Sequence, residues 1–126
     1  MKRMKTLNID TTVMILGAVW TVRSATETEE PRLDGVNGFT DWTTRTIYLE
    51  KNTQGNLGSI EIYMNQVIKH EVVHAFMFES GLGDAFEHKD YGQEETIVDW
   101  FAFQMGKIAN VVMEIQNAVE WEDAEM

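Results

Sequence analysis

The chain contains no cysteine, one proline and only three histidines among its 126 residues. Without cysteine there is neither a disulfide scaffold nor a thiolate to ligate a metal. Basic residues are scarce as well: 10 Lys and Arg stand against 21 Asp and Glu, a formal net charge of −11. A surface of that sign gains no counterion-release free energy from a polyanion, so nucleic acid is not an expected partner. Long apolar runs are missing too, none approaching the ~20 residues that a membrane helix needs. The opening MKRMKTLNIDTTVMILGAVWTV makes a poor signal peptide. Asp10 interrupts it, the apolar run Val13 to Trp20 is short, and Arg23 occupies a position before Ala25 where a small residue is wanted. These absences point to a cytoplasmic chain with neither a nucleic-acid nor a membrane partner.

What is present is ordinary in amount, 44% hydrophobic and 25% charged, enough for one domain over 1–126 with its own core. The order of patterns predicts an α+β fold, an N-terminal antiparallel sheet of about three strands packed on two long helices. Thr12 to Arg23 is rich in Val, Ile, Trp and Thr, with Gly17 marking one bent strand or two short ones. Residues 26–38 collect charges, the proline and two glycines and read as a loop. Alternation in RTIYLEKN, with Ile47 and Leu49 on one side, predicts a half-buried strand closing a hairpin that turns near Asp41 to Thr44. From Ser59 the period becomes helical. Ile60, Met64, Val67, Ile68, Ala75 and Phe78 recur at that spacing, Ser59 is an N-cap and Gly81 and Gly83 are stops, giving a helix over 59–80. Residues 81–93 read as a loop. A second helix is expected from about Glu94 to Val119, burying Ile97, Phe101, Ile108, Val111 or Val112, and Ile115. The acidic tail, about 120–126, is expected to fray.

The chemistry concentrates in His70-Glu71-Val72-Val73-His74, set between QVIK and AFMF. Three ionisable groups in so apolar a segment cannot all face water, and each costs a few kcal/mol if buried without a partner. On a helix, positions i and i+4 lie about 40° apart, so His70 and His74 can direct two imidazole nitrogens at one Zn²⁺. Glu71 projects beside them as a general base for a water on the metal, the arrangement of the His-Glu-x-x-His metallopeptidases. A catalytic zinc takes three protein ligands. Glu95 and Asp99 open the second helix at i, i+4 spacing: Glu95 suits the third ligand, and Asp99 suits a hydrogen bond to the free ring nitrogen of a zinc-bound histidine. Glu94 is the rival third ligand, about 100° round that helix, with His88 and Glu79 as remoter ones. Tyr91 and His88 are the candidates to stabilise the oxyanion. The strand near Thr46 to Leu49 is a candidate edge for pairing with an extended peptide, and an acidic rim would favour basic targets.

HEVVH followed by EETIVDWFA resembles the gluzincin metallopeptidases, and more narrowly the small ImmA/IrrE-like proteins of bacteria, their prophages and mobile elements. The likeness spans roughly residues 38–106. Where many members carry Ala-Asn this chain has Val98-Asp99. The resemblance implies a zincin-like fold and a cytoplasmic zinc endopeptidase whose substrate is a regulatory protein such as a repressor. Two other readings compete with it: a zinc-stabilised module that binds a protein without cleaving it, and a metal-free helical interaction domain.

Overall fold

The structure is a computed structural model that describes the backbone of residues 3–53, 57–82 and 95–125, and the side chains of 5–53, 57–82, 100, 101 and 103–123. The fold is α+β: among the described residues there are two α-helices, a short 3-10 turn at Pro31–Leu33 and two sheets. Strands β2 (Asp10–Ile15), β3 (Ala18–Ala25), β4 (Gly38–Asp41) and β5 (Thr46–Glu50) form one sheet in the order β2-β3-β5-β4. Strands β1 (Arg3–Asn8) and β6 (Glu120–Glu125) form a second, two-stranded sheet. Helix α1 covers Ile60–Glu79 and α2 covers Glu95–Ala118. No described helix is long and apolar enough to cross a membrane.

The stretch containing Gly17 is two strands. Leu16 and Gly17 both take positive φ, 50° and 87°, which is the geometry of a two-residue turn whose twist matches that of paired strands. It joins β2 to β3 in antiparallel register, Val13 opposite Trp20. The β4–β5 hairpin turns at 42–45 as expected, with Arg45 N–H closing on Trp42 C=O at 3.4 Å. Its placement differs from the expected antiparallel sheet of three strands. The hairpin enters with β5 against β3, and that pairing is parallel, Val22 opposite Ile47. The long passage over 26–37 carries the chain across before β4 begins, which makes the parallel pair possible. β5 is therefore interior, and β4 is the outer strand.

Inward-facing Trp20, Val22, Ile47 and Leu49 meet Met64, Ile68, Val72 and Phe76 of α1, and Val111, Val112 and Ile115 of α2 close the same core. Ser59 caps α1, its hydroxyl accepting from Ile62 N–H at 3.3 Å, and Gly81, at φ 82°, ends it. Phe101 departs from the expected buried stripe, being 41% exposed. Its neighbour Trp100 is half-buried instead, and the indole N–H donates to Ser80 Oγ at 3.0 Å, tying α2 to the end of α1. Ile97, expected in the same stripe, is placed by its backbone only.

The acidic tail is not frayed. β6 pairs along β1, Leu7 opposite Trp121, with the indole packed against the core. Lys5 bridges Glu61 at 2.8 Å and Asp123 at 3.4 Å, so one cation joins the tail to the first turn of α1. The partner that orders the tail lies more than a hundred residues away, beyond any local pattern.

On the outer face of β4 and β5, Phe39 stacks on Tyr48 with centroids 4.8 Å apart, and the Arg32 guanidinium lies 4.7 Å over the Phe39 ring. Arg32 also pairs with Asp41 at 2.8 Å and Glu30 at 2.9 Å. The guanidinium, assisted by Thr43, holds the Asp41 carboxyl well below the usual carboxylate range, and it lowers Glu30 as well. Glu79 is lowered by Arg45, then by the Trp20 indole N–H. All three carboxylates bind protons less readily in the folded chain than in the unfolded one. Their stabilising contribution is present above the unfolded values and is lost as pH falls towards the folded ones, from about 4.5 downward for Glu30 and Glu79 and from about 3.8 downward for Asp41. The thermal midpoint, followed by circular dichroism from pH 7 to pH 3, should fall through that window, and Asp41→Asn should flatten part of the fall. A variant profile parallel to that of the unmodified protein would remove Asp41 from the account.

Candidate functional site

An open cleft of about 810 Å³ lies along one face of α1, bounded by residues 35–38 on one side and reaching Phe101 of α2 on the other. Tyr63, Gln66, Val67, His70, Glu71 and His74 of α1 line it, the positions that a 3.6-residue repeat brings to one face. The expectation that the three ionisable groups could not all face water is met by one of them. Glu71 is 6% exposed, whereas His74 is half-buried and His70 exposed.

His70 and His74 converge. Their Nε2 atoms are 3.1 Å apart, with the rings edge to face. Two nitrogens that share one tetrahedral zinc at ~2.0 to 2.1 Å stand roughly 3.3 Å apart, so holding one metal ion would need only a slight opening of the pair. Donor type and spacing both fit. The His74 ring is further set by a stack that runs through Phe78, 6.5 Å from it, to Trp42, 5.9 Å beyond. Among the described residues no group of three or more His, Asp or Glu side chains is placed to share a metal.

Glu71 is held from the opposite wall. The Thr40 hydroxyl on β4 lies 2.9 Å from Glu71 Oε1 and 3.1 Å from its backbone oxygen, placing its proton between the two acceptors. Gly38, two residues earlier on the same face of β4, makes this approach possible. A Cβ there would stand 2.8 Å from Val67 Cγ1, 3.2 Å from the Tyr48 carbonyl oxygen and 3.3 Å from Glu71 Cγ. Any larger residue would push β4 off the helix at the level of the carboxylate. Neither Thr40 nor Gly38 is marked by a local motif. Each acts on Glu71 or its neighbours across about thirty residues of chain, and only the alternation of β4 hints at which face it presents.

The remaining sequence candidates divide. Glu95 is the first residue of α2 and Asp99 lies one turn on, but their side chains are outside the described ones. Glu94, His88 and Tyr91 lie outside the described residues altogether. Glu79 is excluded as a ligand by its bonds, since Oε1 accepts from Trp20 Nε1 at 2.8 Å and from Arg45 Nε at 2.6 Å. The strand Thr46 to Leu49 is not an edge, because β3 and β4 flank it; the outer strand beside the cleft is β4. The acidic residues between 83 and 99 that could form the expected acidic rim lie outside the described side chains. Among the described residues lining the cleft, Glu71 is the carboxylate and Lys69 the ammonium.

Comparison with protein-family models, curated proteins and solved structures finds no match to this chain.

Proposed function

We propose that the chain is a zinc-dependent endopeptidase of the gluzincin type, acting in the cytoplasm on a protein substrate, with His70, His74 and Glu95 holding the metal. The resemblance to the ImmA/IrrE-like proteins suggests a regulatory protein such as a repressor as that substrate. One observation carries the reading: two imidazoles with Nε2 atoms 3.1 Å apart stand beside a buried carboxylate in an open cleft. A purely structural zinc usually closes with four protein ligands and has no use for an adjoining base. Phe101 brings the first half of α2 to the cleft, which is consistent with a ligand from its first turn.

When bound, zinc supplies Lewis acidity, lowering the pKa of water towards neutrality and polarising the scissile carbonyl. The protein's own groups do the rest. Thr40 occupies Oε1 of Glu71, so Oε2, without a partner among the described residues, is the oxygen that takes the proton as water attacks the carbonyl carbon. The same carboxyl then returns that proton to the departing amine nitrogen as the C–N bond breaks. Because the Nε2 atoms of the histidines face each other, their free nitrogens are Nδ1, and Asp99 is proposed to accept from one of them and fix its tautomer. Tyr91 and His88 are proposed donors to the oxyanion. The outer strand β4 offers its backbone to an extended substrate.

The test is digestion of a proteome-derived peptide library by the zinc-loaded protein, by the chelated protein and by the chelated protein given zinc again. Cleavage should vanish on chelation and return with the metal. A protein that retains zinc and cuts nothing in the library would contradict the proposal in favour of a zinc-stabilised binding module.

A further inference from the structure

Towards the N-terminal end of α1 the cleft is furnished by groups that the hydrolytic step does not use. Asn37 Nδ2 donates to the Tyr63 phenol oxygen at 2.8 Å, and both residues line the cleft. Asn37 is held in place from behind, its carbonyl accepting from Glu50 N–H at 2.9 Å, and Gly35, at φ 78°, supplies the turn that leads into it. Since the phenol oxygen already accepts from Asn37, its own proton is left to donate, and the cleft is where an acceptor can reach it. Gln66 adds a further amide to this end of the cleft, and Lys69, next to His70 about 9 Å further along the helix axis, adds a positive charge to the lining. Among the described lining residues no carboxylate other than Glu71 opposes that charge.

We infer that the Asn37–Tyr63 pair, in the cleft that Lys69 also lines, is a specificity subsite for an acidic side chain of the peptide substrate. Tyr63 precedes His70 by seven residues, or about 10.5 Å along the helix axis. An extended peptide advances ~3.3 Å per residue, so the Asp or Glu sits about three residues from the bond cleaved. The phenol O–H donates to the carboxylate, the Asn37 amide fixes the phenol, and the ammonium adds attraction that weakens as salt is raised. This inference rests on the peptidase reading above, and the experiment separates the two.

The library digest is repeated with Tyr63→Phe and Asn37→Asp, followed by a matched pair of synthetic peptides that carry Asp or Ala at the selected position. The unmodified protein should enrich Asp and Glu at one fixed position about three residues from the cut. It should prefer the Asp peptide over the Ala peptide in kcat/KM by about tenfold, the size expected of a hydrogen bond to a charged group. Tyr63→Phe should bring the ratio close to one. Asn37→Asp, which places a negative charge in the subsite, should turn it in favour of Ala. Cleavage without acidic enrichment, or enrichment that survives Tyr63→Phe, overturns the subsite and leaves the peptidase reading standing. Zinc-loaded protein that cleaves nothing overturns both.

Discussion

Glu71→Gln should leave zinc in place and lower peptide cleavage by about 10²- to 10⁴-fold, the range that a positioned general base contributes. The substitution keeps the shape of the side chain. Its amide oxygen can still accept from Thr40, so the contact between β4 and α1 that now passes through Oε1 survives. What is lost is the capacity to take a proton. Glu71→Ala would confound the test, because it opens a hole at a buried position and removes the polar partner of Thr40. The measurement is the cleavage rate of a library-derived peptide alongside the zinc content of the same preparation. Zinc loss with the activity would make Glu71 a ligand rather than a base, and an unchanged rate would remove it from the chemistry.

The second large effect is expected at the histidines. His70→Ala or His74→Ala should weaken zinc binding by more than the 10- to 100-fold that loss of an outer-shell partner costs. The fold should persist, because His70 is exposed and His74 only half-buried, and neither belongs to the core formed by Val72, Ala75 and Phe76 of the same helix. Competition with a calibrated chelator gives the affinities, and far-UV circular dichroism verifies the fold. In the same assay Glu95→Ala should fall with the histidine variants while Glu94→Ala stays near the unmodified protein, and Asp99→Asn should lie between them. If His74→Ala binds zinc as tightly as the unmodified chain, the metal is held elsewhere.

How far the sequence could be read depended on how far apart the interacting residues lie. His70 and His74 are one helical turn apart, so helix geometry alone brings their nitrogens together, and the structure has them at 3.1 Å. The Ser59 cap, the Gly81 stop and the turn before β5 are local in the same way. The Thr40 bond to Glu71 spans 31 residues and the Asn37 bond to Tyr63 spans 26, and neither had a local signal. The acidic tail illustrates the same limit. Its composition is that of a solvated segment, but β1 offers a strand to pair with and Lys5 a compensating charge. The parallel pairing of β3 with β5 was likewise hidden, because alternation in RTIYLEKN reports which face is buried and not which neighbour lies alongside. Helical period alone does not choose between the adjacent apolar residues Trp100 and Phe101; it is Trp100 that packs against the core and reaches Ser80, while Phe101 is exposed.

The most direct test of the central claim is X-ray absorption at the zinc edge, on the zinc-loaded protein and on the variant carrying both His70→Ala and His74→Ala. The account predicts one zinc per chain whose nearest shell contains two imidazole nitrogens at ~2.0 to 2.1 Å, with that signature gone from the variant. A first shell without imidazole, or a protein that takes up no zinc while fully folded, would contradict it.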